Sequence, residues 1–237
     1  MGKIVIHLNL KYKKEKKWKS TKGKIKFDKG LSWKQYVNTN VLEITCGEAP
    51  YLVSRYDTTT GDILEIGDRI GLLDRKLRIV NENIKIDDKE KWLLWAKNAY
   101  KHTYGFEWQG DSLLIARENL LYTFKDYYIE RFNIKPDEKL LLEMAEIISY
   151  NIWQMDGLKG VIPLSCKKEV VENQKNLIDM INEANGIKVE NKKKTIECQG
   201  CKGKDIIAYI KKHNGIYSKI MDWDENKMIR FVDCVGK

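Results

Sequence analysis

The sequence predicts an α/β fold built around a parallel sheet. Short apolar runs that end at glycine or at polar residues alternate along the chain with longer segments whose apolar residues recur at helical spacing. Strand, turn and helix in this repeating order favour parallel strands, because each helix returns the chain to the edge where the next strand begins. The chain of 237 residues is 43% hydrophobic and contains seven Trp. That composition supplies a large apolar core and excludes a chain that is disordered throughout.

Three short runs are the main candidates for the strands of this sheet. Residues 41–45 are apolar and β-branched and end at Cys46-Gly47, which is typical of a buried strand that enters a tight turn. Residues 104–108 and 151–155 are the second and third candidates. A weaker alternation of apolar and polar residues predicts a further strand at residues 4–10.

Helices are predicted between these strands. Residues 90–101 carry apolar side chains at helical spacing. A longer helix follows an N-terminal cap at Asp111 or Ser112, and a third helix occupies residues 137–150. The charged segment at residues 57–89 contains three glycines, and we expect a long loop or a small subdomain there.

All of the net positive charge lies near the N-terminus. The formal net charge is +9, and residues 1–30, with eleven Lys and two acidic residues, carry the same excess. Lysines interleaved with aromatic residues suit a polyanion such as DNA, through phosphate contacts and counterion release. A solvated arm explains the charge equally well, because lysine gives point charges without the bidentate contacts of arginine. The lysines that we expect to contact nucleic acid are Lys13, Lys14, Lys16, Lys17, Lys19, Lys22 and Lys24.

Cysteine use and hydropathy predict a cytoplasmic protein without a membrane span. Five Cys at irregular spacing argue against a secreted disulfide scaffold. No apolar run approaches the roughly 18 residues that a membrane helix needs. The apolar run at residues 4–10 is followed rather than preceded by lysines and lacks a cleavage site, so it differs from a secretory signal.

Polar residues at the three strand ends point to a nucleotide-like ligand. Ligands of open α/β sheets bind beyond the carboxyl ends of the strands, where Gly47 lets the backbone approach closely. The carboxylate of Glu107 suits ribose hydroxyls, and the adjacent Trp108 suits stacking on a purine. Asp156 ends the third strand and suits an adenine amino group. A single carboxylate after a strand is more often simply solvated. The prediction of a ligand site therefore depends on finding such residues at all three strand ends, in this order.

Three segments together resemble the motifs of S-adenosylmethionine-dependent DNA adenine methyltransferases. Residues 41–52, in which Cys46-Gly47 follows a strand with an acidic residue, resemble the first motif. Residues 104–120 look like the second motif, and residues 147–159 are similar to the third. The stretch at residues 33–166, somewhat more than half of the chain, also looks like a segment of the modification subunits of restriction enzymes.

The resemblance implies a Rossmann-like core that binds S-adenosylmethionine. By that resemblance Glu107 would bind the ribose, Trp108 would flank the adenine and Asp156 would face its amino group. The residues that would line the methionine side are Glu43, Cys46, Gly47 and Ala49. The Asn/Asp-Pro-Pro-Tyr motif, with which the family holds a flipped-out adenine, is absent from this sequence. The resemblance therefore implies the cofactor half of an enzyme, with DNA and a second protein chain as its partners.

A second group of residues predicts a metal site. Cys198-Gln-Gly-Cys201 has the spacing of a zinc knuckle, in which two thiolates reach one ion. Cys166 and His213 would complete a Cys3His tetrahedron, and Cys234 is an alternative ligand. Zinc would then hold together an insert at residues 163–215 that has little apolar content. A loose polar loop with an incidental thiol pair explains the same residues, whereas a redox pair lacks the expected thioredoxin-like surroundings.

The sequence thus predicts four segments and one leading function. A basic arm (residues 1–32) precedes a Rossmann-like core (33–162), a zinc-ribbon-like insert (163–215) and a hairpin that returns to the core (216–237). The leading hypothesis is the S-adenosylmethionine-binding part of a DNA N6-adenine methyltransferase of a restriction–modification or phage-related system, inactive alone. The alternative is a catalytically dead, phage-encoded protein that inhibits a host restriction or CRISPR defence by protein–protein contact. A nuclease subunit is a third hypothesis.

Overall fold

The protein is a mixed α/β structure around a three-stranded parallel sheet. A computed structural model describes residues 23–27, 30–172, 177–186, 193–203 and 205–235. The strands of the sheet lie in the order β1, β2, β3, and they are β1 (Val41–Ile44), β2 (Thr103–Glu107) and β3 (Ile152–Gln154). The α/β class and the three predicted strands are confirmed. The strand expected at residues 4–10 lies outside the described residues.

Each connection between neighbouring strands contains two helices. The helices that precede β3 are α1 (Trp33–Val37), α2 (Leu72–Asn83), α3 (Lys89–Lys101), α4 (Gly110–Phe132) and α5 (Glu138–Asn151). The sequence predicts α3, α4 and α5, and all three are confirmed, α4 with a different start. The Asp137 side chain caps α5 by accepting a hydrogen bond from the Leu140 N–H. Asn133 ends α4 in the left-handed conformation, with a φ of 54°.

The expectation for residues 57–89 is a long loop or a small subdomain, and helix α2 corrects the first of these, because residues 72–83 are helical. Leu73, Leu77 and Val80 recur at helical spacing and are fully buried. The charged residues between them obscured this pattern, although Asp74 and Lys76 are themselves buried. The three glycines of the segment all precede the helix and do not interrupt it.

The start of α4 also differs from the expectation. The N-cap position belongs to Gln109, so Asp111 and Ser112 lie inside the first turn of the helix and do not cap it. The carboxylate of Glu107 accepts hydrogen bonds from the backbone N–H groups of Trp108 and Gln109 instead. A carboxylate at this place favours the helix start because the N-terminus of a helix carries partial positive charge.

The two faces of the sheet pack against different layers. Ile152 joins the large core formed by α2 to α5 on one face. Tyr104 and Phe106 point to the other face, which is covered by the predicted hairpin, now β6 (Lys219–Asp222) and β7 (Lys227–Arg230). The rings of Phe106 and Phe231 lie with centroids 4.9 Å apart. The parallel sheet is therefore covered on both faces, as is usual for such sheets.

The insert and the N-terminal segment complete the described structure. The insert contains β4 (Glu169–Glu172) and β5 (Lys193–Ile196), which pair antiparallel, with α6 (Leu177–Ala184), α7 (Gln199–Lys202) and α8 (Ile206–Tyr209). The described part of the insert has a single knuckle and does not show a zinc ribbon. In the segment assigned to the basic arm, Ile25 is buried in the large core. No helix in the described ranges combines the length and apolar character needed to cross a membrane.

Candidate ligand and metal sites

Glu107 joins two of the three strand ends. It is the last residue of β2 and is only 8% exposed. One carboxylate oxygen accepts the N–H of Gly47 at 2.6 Å, and the other accepts the N–H groups of Trp108 and Gln109 at 2.8 and 3.0 Å. The carboxylate therefore ties the turn after β1 to the start of α4.

The turn after β1 has an unusual backbone. Thr45, Gly47 and Ala49 all have positive φ values, of 60°, 55° and 64°. Two of these three carry a Cβ atom, so the turn stores strain of the kind that often marks a functional loop. A Cβ atom on Gly47 would meet no other atom within 4 Å, so space is open beside this residue.

The side chains of Cys46 and Ala49 lie in the core rather than in this space. Both are buried, and the Cys46 sulfur lies 3.1 Å from the position that a Cβ atom on Gly105 would take. A ligand at the turn would therefore reach their backbone atoms and not their side chains. Trp108, in contrast, is 38% exposed.

Glu43 places a second carboxyl group near Glu107. Burial raises the pKa of Glu43 to about 8, and the nearby charge of Glu107 acts in the same direction. A hydrogen bond from the Leu52 backbone lowers this pKa but does not offset the effect of burial. Its Oε2 atom is buried and has no hydrogen-bond partner within the described chain. At neutral pH this side chain is therefore mainly a neutral carboxyl group with an unused polar atom.

The third strand end lies at the same edge of the sheet. The N–H of Met155 donates to the carbonyl of Glu107 at 2.9 Å, and a Cβ atom on Gly157 would lie 2.4 Å from the Ile44 side chain. Asp156 is 6% exposed. Its Oδ1 accepts two backbone N–H groups of its own turn, and its Oδ2 pairs with the Lys159 ammonium at 3.2 Å. The ends of β1, β2 and β3 thus lie side by side at one edge of the sheet, and we call Glu43, Gly47, Glu107 and Asp156 the strand-end site.

The four predicted metal ligands form one compact cluster. The donor atoms of Cys166, Cys198, Cys201 and His213 all lie within 4.8 Å of one another. The His213 Nδ1 atom is 3.5 Å from the sulfur of Cys166 and 3.7 Å from the sulfurs of Cys198 and Cys201. A tetrahedral zinc ion with ordinary Zn–S and Zn–N bonds would place such atoms about 3.5 Å apart. We call these four residues the Cys3His cluster; Cys234 is not among them.

Small residues allow the cluster to close. A Cβ atom on Gly200 would lie 2.6 Å from the His213 ring, and one on Gly215 would lie 2.9 Å from the Cys166 sulfur. The N–H of Asn214 donates to the Cys198 sulfur at 3.3 Å, as expected beside a metal-bound thiolate. Burial, with the nearby Cys201 and Cys198 thiols, raises the pKa of Cys166 to about 12, so an incoming cation displaces protons.

The sequence did not identify every residue that supports these sites. The Tyr217 hydroxyl bonds to both backbone polar groups of His213 at 3.0 Å. No spacing rule links Tyr217 to the cysteines, because the contact depends on the fold of the following strand. Lys24 is exposed, and the other six lysines proposed for nucleic-acid contact lie outside the described residues.

Comparison of the chain with protein-family models, with curated proteins and with solved structures gives no match. The observations that bear on function are therefore the chemistry of the strand-end site and of the Cys3His cluster. These two sites are close along the chain, because Asp156 precedes Cys166 by ten residues.

Proposed function

We propose that this chain is the S-adenosylmethionine-binding part of a DNA N6-adenine methyltransferase, from a restriction–modification or phage-related system. The observation that carries the proposal is the hydrogen bond from Gly47 to Glu107, which unites the ends of β1 and β2 at one edge of a parallel sheet. Ligands of open α/β sheets bind at this edge. The motif resemblance of residues 41–52, 104–120 and 147–159 supports the same ligand.

The arrangement of the layers supports a Rossmann-like core. The strands follow each other in chain order across the sheet. Helices α2 to α5 share one core, and this core includes one face of the sheet. In a doubly wound fold each half of the sheet sends its helical connections to a single face. The described sheet corresponds to one such half, with the β6–β7 hairpin on its other face.

The residues of the strand-end site fit S-adenosylmethionine with one rearrangement. A carboxylate offers about four lone-pair positions, and three on Glu107 are occupied by N–H groups. Two ribose hydroxyls therefore require the Gly47 N–H to release Glu107. The open space beside Gly47 and the unused Oε2 atom of Glu43 are compatible with a ligand that displaces this turn. Trp108 is partly exposed beside this turn and would flank the adenine.

The bound cofactor would supply an activated methyl group, and the chain would bind and orient it. Glu107 would hold the ribose, and Asp156 would face the adenine amino group with the lone pairs that its turn leaves free. The Asn/Asp-Pro-Pro-Tyr motif is absent, so methylation requires a further segment or a second chain that carries it. DNA would be held partly by the lysine-rich segment.

We further propose that the Cys3His cluster binds zinc. Three thiolates and one imidazole are a usual zinc ligand set, and they fill all four tetrahedral positions. Because no position remains open for a water or a substrate, this zinc would be structural and not catalytic.

Calorimetric titration with S-adenosylmethionine tests the leading function. We expect the wild-type chain to bind and Glu107→Ala to lose measurable binding, while circular dichroism shows that it remains folded. The matched control is Glu118→Ala, which removes an exposed carboxylate from α4. Unchanged affinity in Glu107→Ala, or no binding by the wild-type chain, would contradict the proposal.

The second candidate function is a catalytically dead, phage-encoded inhibitor of a host defence system. It is favoured by α6, on which four large apolar side chains are more than half exposed, namely Leu177, Ile178, Met180 and Ile181. Such a face suits a protein groove. Binding to a purified restriction or CRISPR subunit, lost in Ile178→Asp and kept in the control Leu164→Asp, would support this candidate when S-adenosylmethionine does not bind.

A further inference from the structure

A short antiparallel ladder joins the Cys3His cluster to the turn after β3. Residues 160–162 lie beside residues 216–218, with Val161 opposite Tyr217. The Ile162 N–H donates to the Ile216 carbonyl at 2.8 Å, and the Ser218 N–H donates to the carbonyl of residue 160 at 3.0 Å. We call residues 160–162 and 216–218 the linking ladder.

Val161 is the ladder residue that contacts the turn of Asp156. Its carbonyl accepts the Asp156 N–H at 2.8 Å, and across the ladder it lies opposite Tyr217. Val161 is 1% exposed, so it has no room to shift independently. A movement of the ladder would therefore be passed directly to Asp156.

Both strands of the ladder run directly into metal ligands. Cys166 lies four residues after one strand, and His213 lies three residues before the other. The Tyr217 hydroxyl accepts the His213 N–H and donates to the His213 carbonyl. The Ser165 hydroxyl accepts the N–H of Ile216 at 3.0 Å and so braces the same short connection. These short connections and hydrogen bonds restrict the movement of the ladder relative to the metal ligands.

The part of the insert whose side chains the structure describes has almost no apolar core of its own. Within that part, only Cys198 and Ile210 are buried apolar side chains, and Cys198 belongs to the Cys3His cluster. A domain region with so little apolar burial depends on a metal ion for its fold. We therefore expect the insert to be well ordered when the metal is bound and less ordered when it is absent.

We infer that a metal ion bound by the Cys3His cluster fixes, through the linking ladder and the Tyr217 hydroxyl, the turn that carries Asp156. The metal then acts as a positioning element for the end of β3. This inference goes beyond the proposed function, and only its consequence for ligand affinity depends on S-adenosylmethionine binding. Loss of the metal is expected to loosen the turn while the helices around the large core stay folded.

Hydrogen exchange of the full chain, read by mass spectrometry, tests the coupling directly. The metal is removed with a chelator under reducing conditions and restored with zinc or cobalt. Peptides covering residues 155–162 and 213–218 should exchange roughly tenfold faster or more without metal, and recover when it returns. Peptides from α3 and α4 should not change. Unchanged protection at residues 155–162, or equal loss of protection in α3 and α4, would overturn the inference.

A variant outside the ligand set separates positioning from metal binding. Tyr217→Phe removes the two hydroxyl contacts with His213 and leaves all four ligands in place. At saturating cobalt we expect the visible absorption of a tetrahedral Cys3His site, together with faster exchange at residues 155–162. The control Tyr209→Phe, in the same insert, should exchange like the wild-type chain. Identical exchange in the two variants would overturn the inference.

A titration with S-adenosylmethionine distinguishes failure of this inference from failure of the proposed function. If the metal-loaded chain binds, removal of the metal should weaken binding roughly tenfold or more, in the range seen for groups that support a site indirectly. Equal affinity in both states would overturn the coupling to the ligand. If neither state binds, the proposed function fails, and the exchange experiment still decides whether the metal fixes the turn.

Discussion

The Glu107 carboxylate accepts a 2.6 Å hydrogen bond from the Gly47 backbone, although sixty residues separate the two along the chain. The bond joins the carboxyl ends of adjacent parallel strands. It also holds in place a turn in which Thr45, Gly47 and Ala49 have positive φ values. Glu107 is thus both the proposed ribose ligand and the present anchor of the turn, so stability and binding are linked at this residue.

Removal of the Glu107 carboxylate should destabilise the chain. Glu107→Ala leaves the N–H of Gly47 without its acceptor and removes a favourable charge from the start of α4. We expect the free energy of unfolding in urea to fall by about 1–3 kcal/mol. Glu107→Gln keeps one acceptor oxygen and should lose less. Equal stability of Glu107→Ala and the wild-type chain would show that the turn does not depend on this bond.

Glu43 should make stability decrease as the pH rises. Burial, together with the neighbouring Glu107 charge, raises its pKa from 4.5 to about 8 in the folded chain. Between these two values the folded state binds a proton that the unfolded state has lost, so stability falls with rising pH. Glu43→Gln has no such proton to lose. Urea unfolding at pH 5 and pH 8 should show that the stability of the variant relative to the wild-type chain is greater at pH 8. A difference in unfolding free energy that is the same at both pH values would contradict the raised pKa of Glu43.

Lys76 should make stability increase as the pH rises, between about pH 7 and pH 10. It is 1% exposed, and its ammonium donates to the carbonyls of Thr39 and His102 at 2.7 and 2.9 Å. Burial lowers its pKa from 10.5 to about 7. Above pH 7 the unfolded chain keeps a proton that the folded chain releases, so stability rises with pH. The advantage of the wild-type chain over Lys76→Met should therefore grow between pH 7 and pH 10; a fixed advantage would contradict this account.

The strands and the metal ligands could be predicted because their signals are local. A β-branched run that stops at Cys46-Gly47, and two cysteines at knuckle spacing, need no knowledge of distant residues. Helix α2 could not be predicted in the same way. Its charged residues Asp74 and Lys76 are buried where they form hydrogen bonds with partners from other segments, such as the Ser54 N–H and the Thr39 carbonyl. The sequence shows the charges and not the partners.

The start of α4 was missed for a related reason. Capping rules look for a polar residue just before the helix, which favoured Asp111 or Ser112. The carboxylate that meets the first backbone N–H groups belongs to Glu107, at the end of the preceding strand. Its position depends on the register of β2 against β1, which is a property of the folded sheet.

Elemental analysis of the purified chain should find one zinc ion. The double variant Cys198→Ser/Cys201→Ser removes two of the four donors and should lose the metal together with the order of the insert. Cys234→Ser is the matched control, because this thiol lies outside the Cys3His cluster. Loss of zinc in Cys234→Ser would show that the ligand set is different, and absence of zinc from the wild-type chain would refute the site.

Gly200→Ala should weaken metal binding without touching a ligand. The added methyl group would lie 2.6 Å from the His213 ring, so the ring or the backbone around residue 200 must shift and disturb the donor geometry. A tetrahedral site tolerates little displacement of a donor atom, and we expect the affinity for zinc to fall roughly tenfold or more. Competition with a chromogenic chelator measures this change. Gly67→Ala is the control, since a methyl group there meets no atom within 4 Å. Equal affinities in the two variants would mean that His213 does not bind the metal from its present position.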